Sequence, residues 1–160
     1  LTIVGPVGDK GYYNKCRQLE AYLPTNIKLI FTGGASKEKT PFYLNENHFL
    51  ALPSLGENFS YSIVEALSFS RPVIISDNTP WKNLAQQKVG WDLHINECKR
   101  FIEAINAAAE MDQDEYNKWS DAARSFARCY LDSATFKNPY KKLFGNINQK
   151  QHKDFKSISD

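Results

Sequence analysis

Residues 49–77 read FLALPSLGENFSYSIVEALSFSRPVIISD, and this stretch predicts the fold of the chain. An apolar run from Phe49 to Leu52 stops at a proline, as a buried strand does, and a polar turn follows it. From Ser60 onward, apolar residues recur at helical spacing until Pro72, and residues 73–75 form a second apolar run. Because neither run alternates with polar residues, the pattern predicts an α/β fold with a doubly wound parallel sheet.

Two glutamates of this stretch have no evident role in folding. Glu57 lies in the loop before the helix and Glu65 lies inside the helix, with seven residues between them. Ligands of doubly wound sheets bind where strands end and helices begin, because free backbone amides and the helix dipole face that edge. A loop there favours an anion such as a diphosphate, and a carboxylate accepts hydrogen bonds from sugar hydroxyls. Each glutamate also has an ordinary structural explanation. The negative charge of Glu57 interacts favourably with the positive end of the helix dipole, and Glu65 suits a solvent-facing helical position.

Two segments contain the glutamates, Pro53-Ser-Leu-Gly-Glu-Asn-Phe59 and Ile63-Val-Glu-Ala-Leu67. A third segment, Arg71-Pro-Val-Ile-Ile-Ser-Asp77, follows them and is continued by Thr79-Pro-Trp81. Together they resemble the donor-binding signature of retaining GT-B glycosyltransferases of group 1 (family 4), which carry a Glu-x7-Glu motif. The resemblance implies the C-terminal, Rossmann-like domain of such an enzyme. It further implies a hexosyltransferase-like activity that moves a sugar from a UDP- or GDP-linked donor to a glycan or lipid-linked acceptor.

The same resemblance implies roles for individual residues. Glu65 would bind the ribose hydroxyls of the donor, and Glu57 would lie beside the donor hexose as the catalytic residue. The other donor-binding residues implied are Gly56, Asn58, Phe59, Ser60, Tyr61, Gly33 and Gly34, of which the last two would lie near the nucleotide base. Read without the resemblance, that glycine pair is a tight strand exit that needs permissive backbone angles. The sequence departs from the family at Ser60 and Ser70, where the family often has glycine.

Composition and charge narrow the class of protein. The net charge of +2 carries no signature of a nucleic-acid-binding protein, and no apolar run approaches the roughly 20 residues that span a bilayer. The three cysteines are widely separated and lack CxxC spacing, which argues against a disulfide framework or a zinc site and favours a reducing compartment. No Asp-x-Asp pair or His/Asp cluster indicates a metal site, so neither a metal nor a cofactor is expected. Family association implies cytoplasmic polysaccharide biosynthesis, with peripheral contact at the inner membrane face through a further domain.

The rest of the chain continues the alternation of strands and helices. Strands are predicted at residues 1–4, 27–31 and 89–93. A first helix has Tyr12, Cys16, Leu19 and Leu23 on one face. Residues 37–48 are predicted to form a short helix or an irregular connection. Later helices are predicted from a Thr79 cap to Gln87, after an Asn96 cap, from an Asp112–Glu115 capping box, and over residues 133–144.

These elements predict one domain over residues 1–146 and a disordered tail over residues 147–160. In the family, the corresponding domain begins one strand and one helix earlier, with an Arg and a Lys that neutralise the diphosphate, and an acceptor-binding domain precedes it. The chain would therefore lack that first strand and helix, bind donor weakly and turn over nothing alone. Two alternatives remain open: a non-catalytic Rossmann-like interaction or nucleotide-binding module of a two-chain assembly, and a GT-B sugar-nucleotide epimerase, which the sequence around Glu57 and Asp77 disfavours.

Overall fold

The computed structural model describes residues 1–132, so the helix predicted over residues 133–144 and the tail predicted over residues 147–160 lie outside the described residues. The chain divides into two compact units, Leu1–His48 and Phe49–Asp160. The single domain predicted over residues 1–146 stays a prediction.

The first unit is built on two parallel strands, β1 (Thr2–Val4) and β2 (Ile30–Gly33). Helix α1 (Lys10–Leu19) lies between them in sequence, and helix α2 (Thr40–Asn45) follows β2. The first helix begins where Asp9 accepts a hydrogen bond from the amide of Tyr12 at 2.9 Å, a side-chain N-cap. The unit thus has the predicted strand–helix–strand order.

The apolar residues that the sequence places on one face of α1 do not form a buried stripe. Tyr12 and Leu19 are 69% and 63% exposed, and Leu23 lies beyond the end of the helix. The ring of Tyr13 lies 5.1 Å from that of Phe31 on β2, and the guanidinium of Arg17 lies 5.2 Å from the same ring. An aromatic edge and a cation on one ring therefore orient the helix.

The second unit contains a three-stranded parallel sheet in the order β3 (Leu50–Leu52), β4 (Val73–Ser76) and β5 (Gly90–Leu93). Helix α3 (Tyr61–Ser68) connects β3 to β4, and helices α4 (Cys98–Glu110) and α5 (Gln113–Asp132) follow β5. Leu50 pairs with Val73, and Val73 pairs with Gly90. The predicted strand–loop–helix–strand unit and its parallel pairing are confirmed, and all four residues of the middle strand are buried.

The core of this unit follows the apolar pattern of the sequence. Four residues of α3 are buried: Ile63, Val64, Ala66 and Leu67. Burying a large aliphatic side chain contributes roughly 1.5–3 kcal/mol, so this face holds the helix in place. On α5, Trp119, Ala123 and Ala127 are buried at helical spacing. Asp112 Oδ1 accepts from the amide of Glu115 at 2.8 Å, as in the predicted cap.

Helix α3 ends in a left-handed residue that is not glycine. Ser70 has a φ of 62°. Its amide donates to the carbonyl of Leu67 at 3.0 Å, and the next amide, of Arg71, donates to Ala66 at 2.8 Å. This pair of bonds is a Schellman motif, which satisfies the last carbonyls of the helix. The serine therefore occupies a position where an L-residue is strained.

Two predicted helix starts are wrong. In place of a helix from Thr79 to Gln87 there is irregular chain and a single 3-10 turn, Ala85–Gln87. The carboxylate of Asp92 accepts hydrogen bonds from the amides of Asn83 and Leu84 at 3.0 and 2.9 Å, and Asn83 takes a φ of 58°, which interrupts a helix.

Helix α4 begins one residue after Glu97 and has no side-chain cap, so the predicted cap at Asn96 is wrong as well. Its inward face consists of Phe101, Ala104 and Ala108, which pack against Ile74 and Leu93 of the sheet. Two other apolar residues of this helix, Ile102 and Ile105, are 58% and 50% exposed.

Candidate functional site

An open cleft of about 650 Å³ lies at the carboxyl end of β3. This edge is where ligands of doubly wound sheets bind. The lining residues run from the end of the strand into the first turn of α3: Leu52, Gly56, Glu57, Asn58, Phe59, Ser60, Tyr61 and Ser62. All six of the predicted site residues that precede Glu65 in this segment therefore line one cleft.

The start of the cleft loop is hydrogen-bonded to the chain that follows β4. The hydroxyl of Ser76 donates to the carbonyl of Ser54. The amide side chain of Asn78 donates to Leu55 O at 3.0 Å, and the backbone amide of Glu57 donates to Asn78 O at 3.0 Å. Ser76 is fully buried and ends β4, and Asn78 follows it by two residues, so these bonds attach the loop to the end of the middle strand and the chain directly after it. The backbone that carries Glu57 is thereby fixed.

The side chain of Glu57 is half-buried and oriented by a neighbour. Its Oε1 accepts a hydrogen bond from Ser54 Oγ at 2.9 Å. Among the described residues, no lysine or arginine forms an ion pair with it. A carboxylate that is held in place and not neutralised keeps its capacity to accept hydrogen bonds from hydroxyl groups.

Glu65 lies in the second turn of α3 and is exposed. Residues three and four apart share a helix face, so Glu65 lies on the face that begins with Tyr61 and Ser62 of the cleft lining. Within residues 1–132, no ion pair engages its carboxylate. Its binding of ribose stays a prediction.

The end of the cleft loop belongs to an aromatic cluster, and the sequence interpretation assigned only its members Phe59 and Tyr61 to the site. The cluster consists of Phe59, Tyr61, Trp81, Phe126 and Tyr130. Trp81 Nε1 donates to the carbonyl of Phe59 at 2.9 Å. The Thr-Pro-Trp motif was the available signal, but sequence alone does not reveal which carbonyl the indole reaches.

Ser60 occupies the N-cap of α3 with a φ of 55° and a ψ of 90°, and its side chain makes no capping hydrogen bond. A left-handed conformation costs an L-residue roughly 1–2 kcal/mol, which glycine avoids. The first amides of α3 therefore have no side-chain acceptor from the N-cap. The positive end of the helix dipole lies beside Ser60 in the cleft lining. Ser60, at a position where the resemblance implies glycine, is therefore a strained residue.

Gly33 and Gly34 belong to the first unit. Gly33 ends β2 with a φ of 73°, and its carbonyl accepts from the amide of Gly5 at 2.9 Å. A Cβ atom at Gly33 would meet nothing within 4 Å, so the backbone angle alone favours glycine there. The structural explanation of the pair as a strand exit holds for Gly33, and contact with a nucleotide base stays a prediction for both residues.

Within residues 1–132, no group of three or more His, Cys, Asp or Glu side chains is placed to hold a metal ion. In the same part of the chain, no helix has the length and apolar character needed to cross a membrane.

A family described as glycosyl transferases group 1 matches residues 1–126. The chain belongs to the group 1 glycosyltransferase family. The predicted family is confirmed, and glycosyl transfer is the activity of the class to which the chain belongs. A comparison with curated proteins gave no match.

Two solved structures share the fold of this group 1 glycosyltransferase chain. Anabaena HepE, crystallised in complex with UDP-glucose, matches with a TM-score of 0.70 and 20% identity over 91% of this chain. WaaG, a glycosyltransferase involved in lipopolysaccharide biosynthesis, matches with a TM-score of 0.68 and 16% identity over 91% of this chain. The match covers 40% and 38% of those two chains, so this chain spans about two fifths of their length. The predicted α/β, Rossmann-like fold is confirmed.

Proposed function

We propose that this group 1 glycosyltransferase chain is the donor-binding part of a retaining enzyme that transfers a hexose from a UDP- or GDP-linked sugar to a glycan or lipid-linked acceptor. The observation that carries the proposal is the placement of Glu57 in the cleft. Its carboxylate is oriented by Ser54 and paired with no cation among the described residues. The UDP-glucose complex of HepE supports a nucleotide-sugar as the ligand class.

In this proposal the two glutamates bind different parts of the donor. Glu57 accepts hydrogen bonds from the hexose, and Glu65, farther along the same helix face, accepts them from the ribose. Gly33 and Gly34 approach the nucleotide base. Amides at the start of α3 stabilise charge on the leaving diphosphate, as preorganised dipoles do, and neither a metal ion nor a cofactor takes part.

The remainder of the enzyme has its own proposed tasks. A further domain supplies the acceptor site, contributes cations to the diphosphate and makes any peripheral contact with the inner face of the membrane. The protein acts in the cytoplasm, in polysaccharide biosynthesis. This chain alone binds the donor weakly and catalyses no turnover, because in this proposal the further domain forms the rest of the site that encloses the donor.

Calorimetric titration of the full-length polypeptide with a panel of UDP- and GDP-sugars tests the proposal. We expect one donor to bind, and we expect Glu65→Ala to weaken that binding about tenfold, since a hydrogen bond to a charged group contributes roughly 1.5–3 kcal/mol. Glu103→Ala is the matched control, because Glu103 is an exposed helical glutamate on α4, with a loose pairing to Lys99 at 3.8 Å. Absence of binding to every donor, or equal binding by the Glu65→Ala variant, contradicts the proposal.

A further inference from the structure

A single hydrogen bond joins the buried indole of Trp81 to the cleft loop. Nε1 lies 2.9 Å from the carbonyl oxygen of Phe59, and Trp81 is only 4% exposed. An indole N–H is a donor only, and a buried donor without an acceptor is costly. The hydrogen bond is therefore strongly favoured, and a fixed position of the indole also fixes the position of the Phe59 carbonyl.

The surrounding aromatic rings hold the indole. Its centroid lies 4.6 Å from the ring of Tyr130 and 6.1 Å from that of Phe126, both on α5. The backbone amide of Trp81 also donates to Thr79 Oγ1 at 3.3 Å. Aromatic pairs at these separations stabilise the ring beyond the burial of its surface, so α5 anchors the indole independently of the hydrogen bond to the cleft loop.

The orientation of one carbonyl fixes the next amide. In a trans peptide the C=O and N–H groups point in opposite directions, and the described chain has no cis bond. Because the Phe59 carbonyl points to the buried indole, the amide of Ser60 points away from the aromatic cluster. No acceptor for that amide is found within the described residues, and Ser60 lines the cleft.

We propose that Trp81 is a positioning residue: by holding the Phe59 carbonyl, its indole N–H directs the Ser60 amide into the cleft, toward a phosphate group of the bound donor. Ser60 has a strained φ of 55°, and a strained residue relaxes to a common conformation unless its surroundings hold it. The hydrogen bond from Trp81 to the Phe59 carbonyl therefore keeps this peptide in its orientation. The inference rests on the proposed function, since the phosphate belongs to the nucleotide-sugar.

The ring and the N–H of Trp81 have separable effects. Phenylalanine at this position keeps an aromatic ring in the cluster and removes the donor. Replacement of Trp81 by 3-benzothienylalanine keeps the bicyclic shape as well, and therefore serves where Trp81→Phe fails to fold. Trp91→Phe is the matched control, because Trp91 stacks on Trp119 at 4.4 Å in a different cluster of the same unit.

The first measurement is the backbone order parameter of the Ser60 amide by ¹⁵N relaxation, on the free 160-residue chain. We expect about 0.85 in the wild type and in Trp91→Phe, and below about 0.6 in either variant that lacks the indole N–H, with β4 unchanged. A Ser60 amide that stays equally rigid without the indole N–H overturns the inference. This result does not depend on any ligand.

The second measurement is calorimetric titration with UDP and GDP, with uridine and guanosine as the ligands that lack phosphate. Loss of the indole N–H is expected to weaken binding of the preferred nucleoside diphosphate about fivefold and to leave binding of its nucleoside unchanged, since only the phosphate contact is disturbed. Equal loss for the nucleoside diphosphate and its nucleoside, or no loss for the nucleoside diphosphate, overturns the inference. If the wild type binds neither UDP nor GDP, the proposed function fails, whereas the order parameters still decide whether the indole holds the amide.

Discussion

Ser54 connects Glu57 to the sheet: its hydroxyl donates to Glu57 Oε1 at 2.9 Å, and its carbonyl accepts from the buried hydroxyl of Ser76. The strand that carries Ser76 is fully buried, so the orientation of the cleft carboxylate depends on the core of the second unit. A glutamate on a loop is otherwise free to sample several rotamers. The Ser54 hydroxyl removes that freedom before a ligand arrives, which is preorganisation.

Ser54→Ala is expected to weaken donor binding about fivefold with little change in stability. The substitution removes one hydrogen bond to the carboxylate, and such a bond contributes roughly 1 kcal/mol. Ser54→Thr keeps a hydroxyl at the same position and should retain wild-type affinity. Calorimetry of the full-length polypeptide with its donor measures both, and equal affinities for the alanine variant and the wild type would show that Glu57 needs no support from Ser54.

Ser70→Gly is expected to raise the free energy of unfolding by about 1 kcal/mol. Ser70 has a φ of 62° in the cap of α3, a conformation that glycine adopts without penalty. Its carbonyl accepts from Ser120 Oγ at 2.9 Å, and that bond survives the substitution. Urea denaturation provides the measurement. Ser68→Gly, at a helical position two residues earlier, should instead lower stability by about 0.5 kcal/mol, and stabilisation by both changes would exclude a conformational cause.

Gly90→Ala is expected to destabilise the second unit by about 3 kcal/mol or more. Gly90 has a φ of 153°, and a Cβ atom there would lie 2.1 Å from the carbonyl oxygen of Val73 and 2.8 Å from its Cγ2 atom. Because Val73 and Gly90 are paired in the sheet, relief of this clash requires β4 and β5 to separate. Gly8→Ala is the control, since a Cβ atom there meets nothing within 4 Å. Equal thermal midpoints for the two variants would refute the prediction.

Glu115 makes stability depend on pH in the acid range. A hydrogen bond from the Trp119 indole and, next, one from Lys88 lower the pKa of Glu115 from 4.5 to about 2. The unfolded chain takes up the proton near pH 4.5 and the folded chain only near pH 2, so this contribution to stability is complete above pH 4.5 and is lost between those values.

Glu115→Gln should therefore flatten the decline of the unfolding free energy between pH 4.5 and pH 2. Urea denaturation at a series of pH values measures this slope. Glu103→Gln serves as the control, with a slope that should match the wild type. Identical slopes for all three proteins would show that the folded environment does not favour ionised Glu115.

The sequence predicted those features that depend on local pattern. Unbroken apolar runs at residues 49–52 and 73–75 gave the parallel pair of strands, and a cap at Asp112 gave the start of α5. The departure at position 70 from the glycine that the resemblance implies coincides with a left-handed φ of 62° at Ser70. Each of these features involves residues that are adjacent in sequence or repeat with a fixed period.

The features that sequence analysis missed depend on contacts between distant residues. Asp92 interrupts the predicted helix after Thr79 by accepting two backbone amides nearby in space, and no periodicity reveals such a bond. The contacts of α1 with β2 were not predicted, because the ring of Tyr13 and the guanidinium of Arg17 contact the distant ring of Phe31, whereas the sequence analysis considered apolar spacing alone. The role of Trp81 at the cleft was missed for the same reason, since the indole contacts a carbonyl 22 positions earlier.

The most direct test of the account compares UDP or GDP, whichever the full-length polypeptide binds, with the 2′,3′-dideoxy form of the same nucleotide, with and without Glu65. If Glu65 accepts hydrogen bonds from the ribose, the wild type should bind the natural nucleotide about tenfold more tightly than the dideoxy compound, and Glu65→Ala should bind both equally. Discrimination that persists in Glu65→Ala, or that is absent from the wild type, would contradict the assignment of Glu65 and with it the placement of the donor in this cleft.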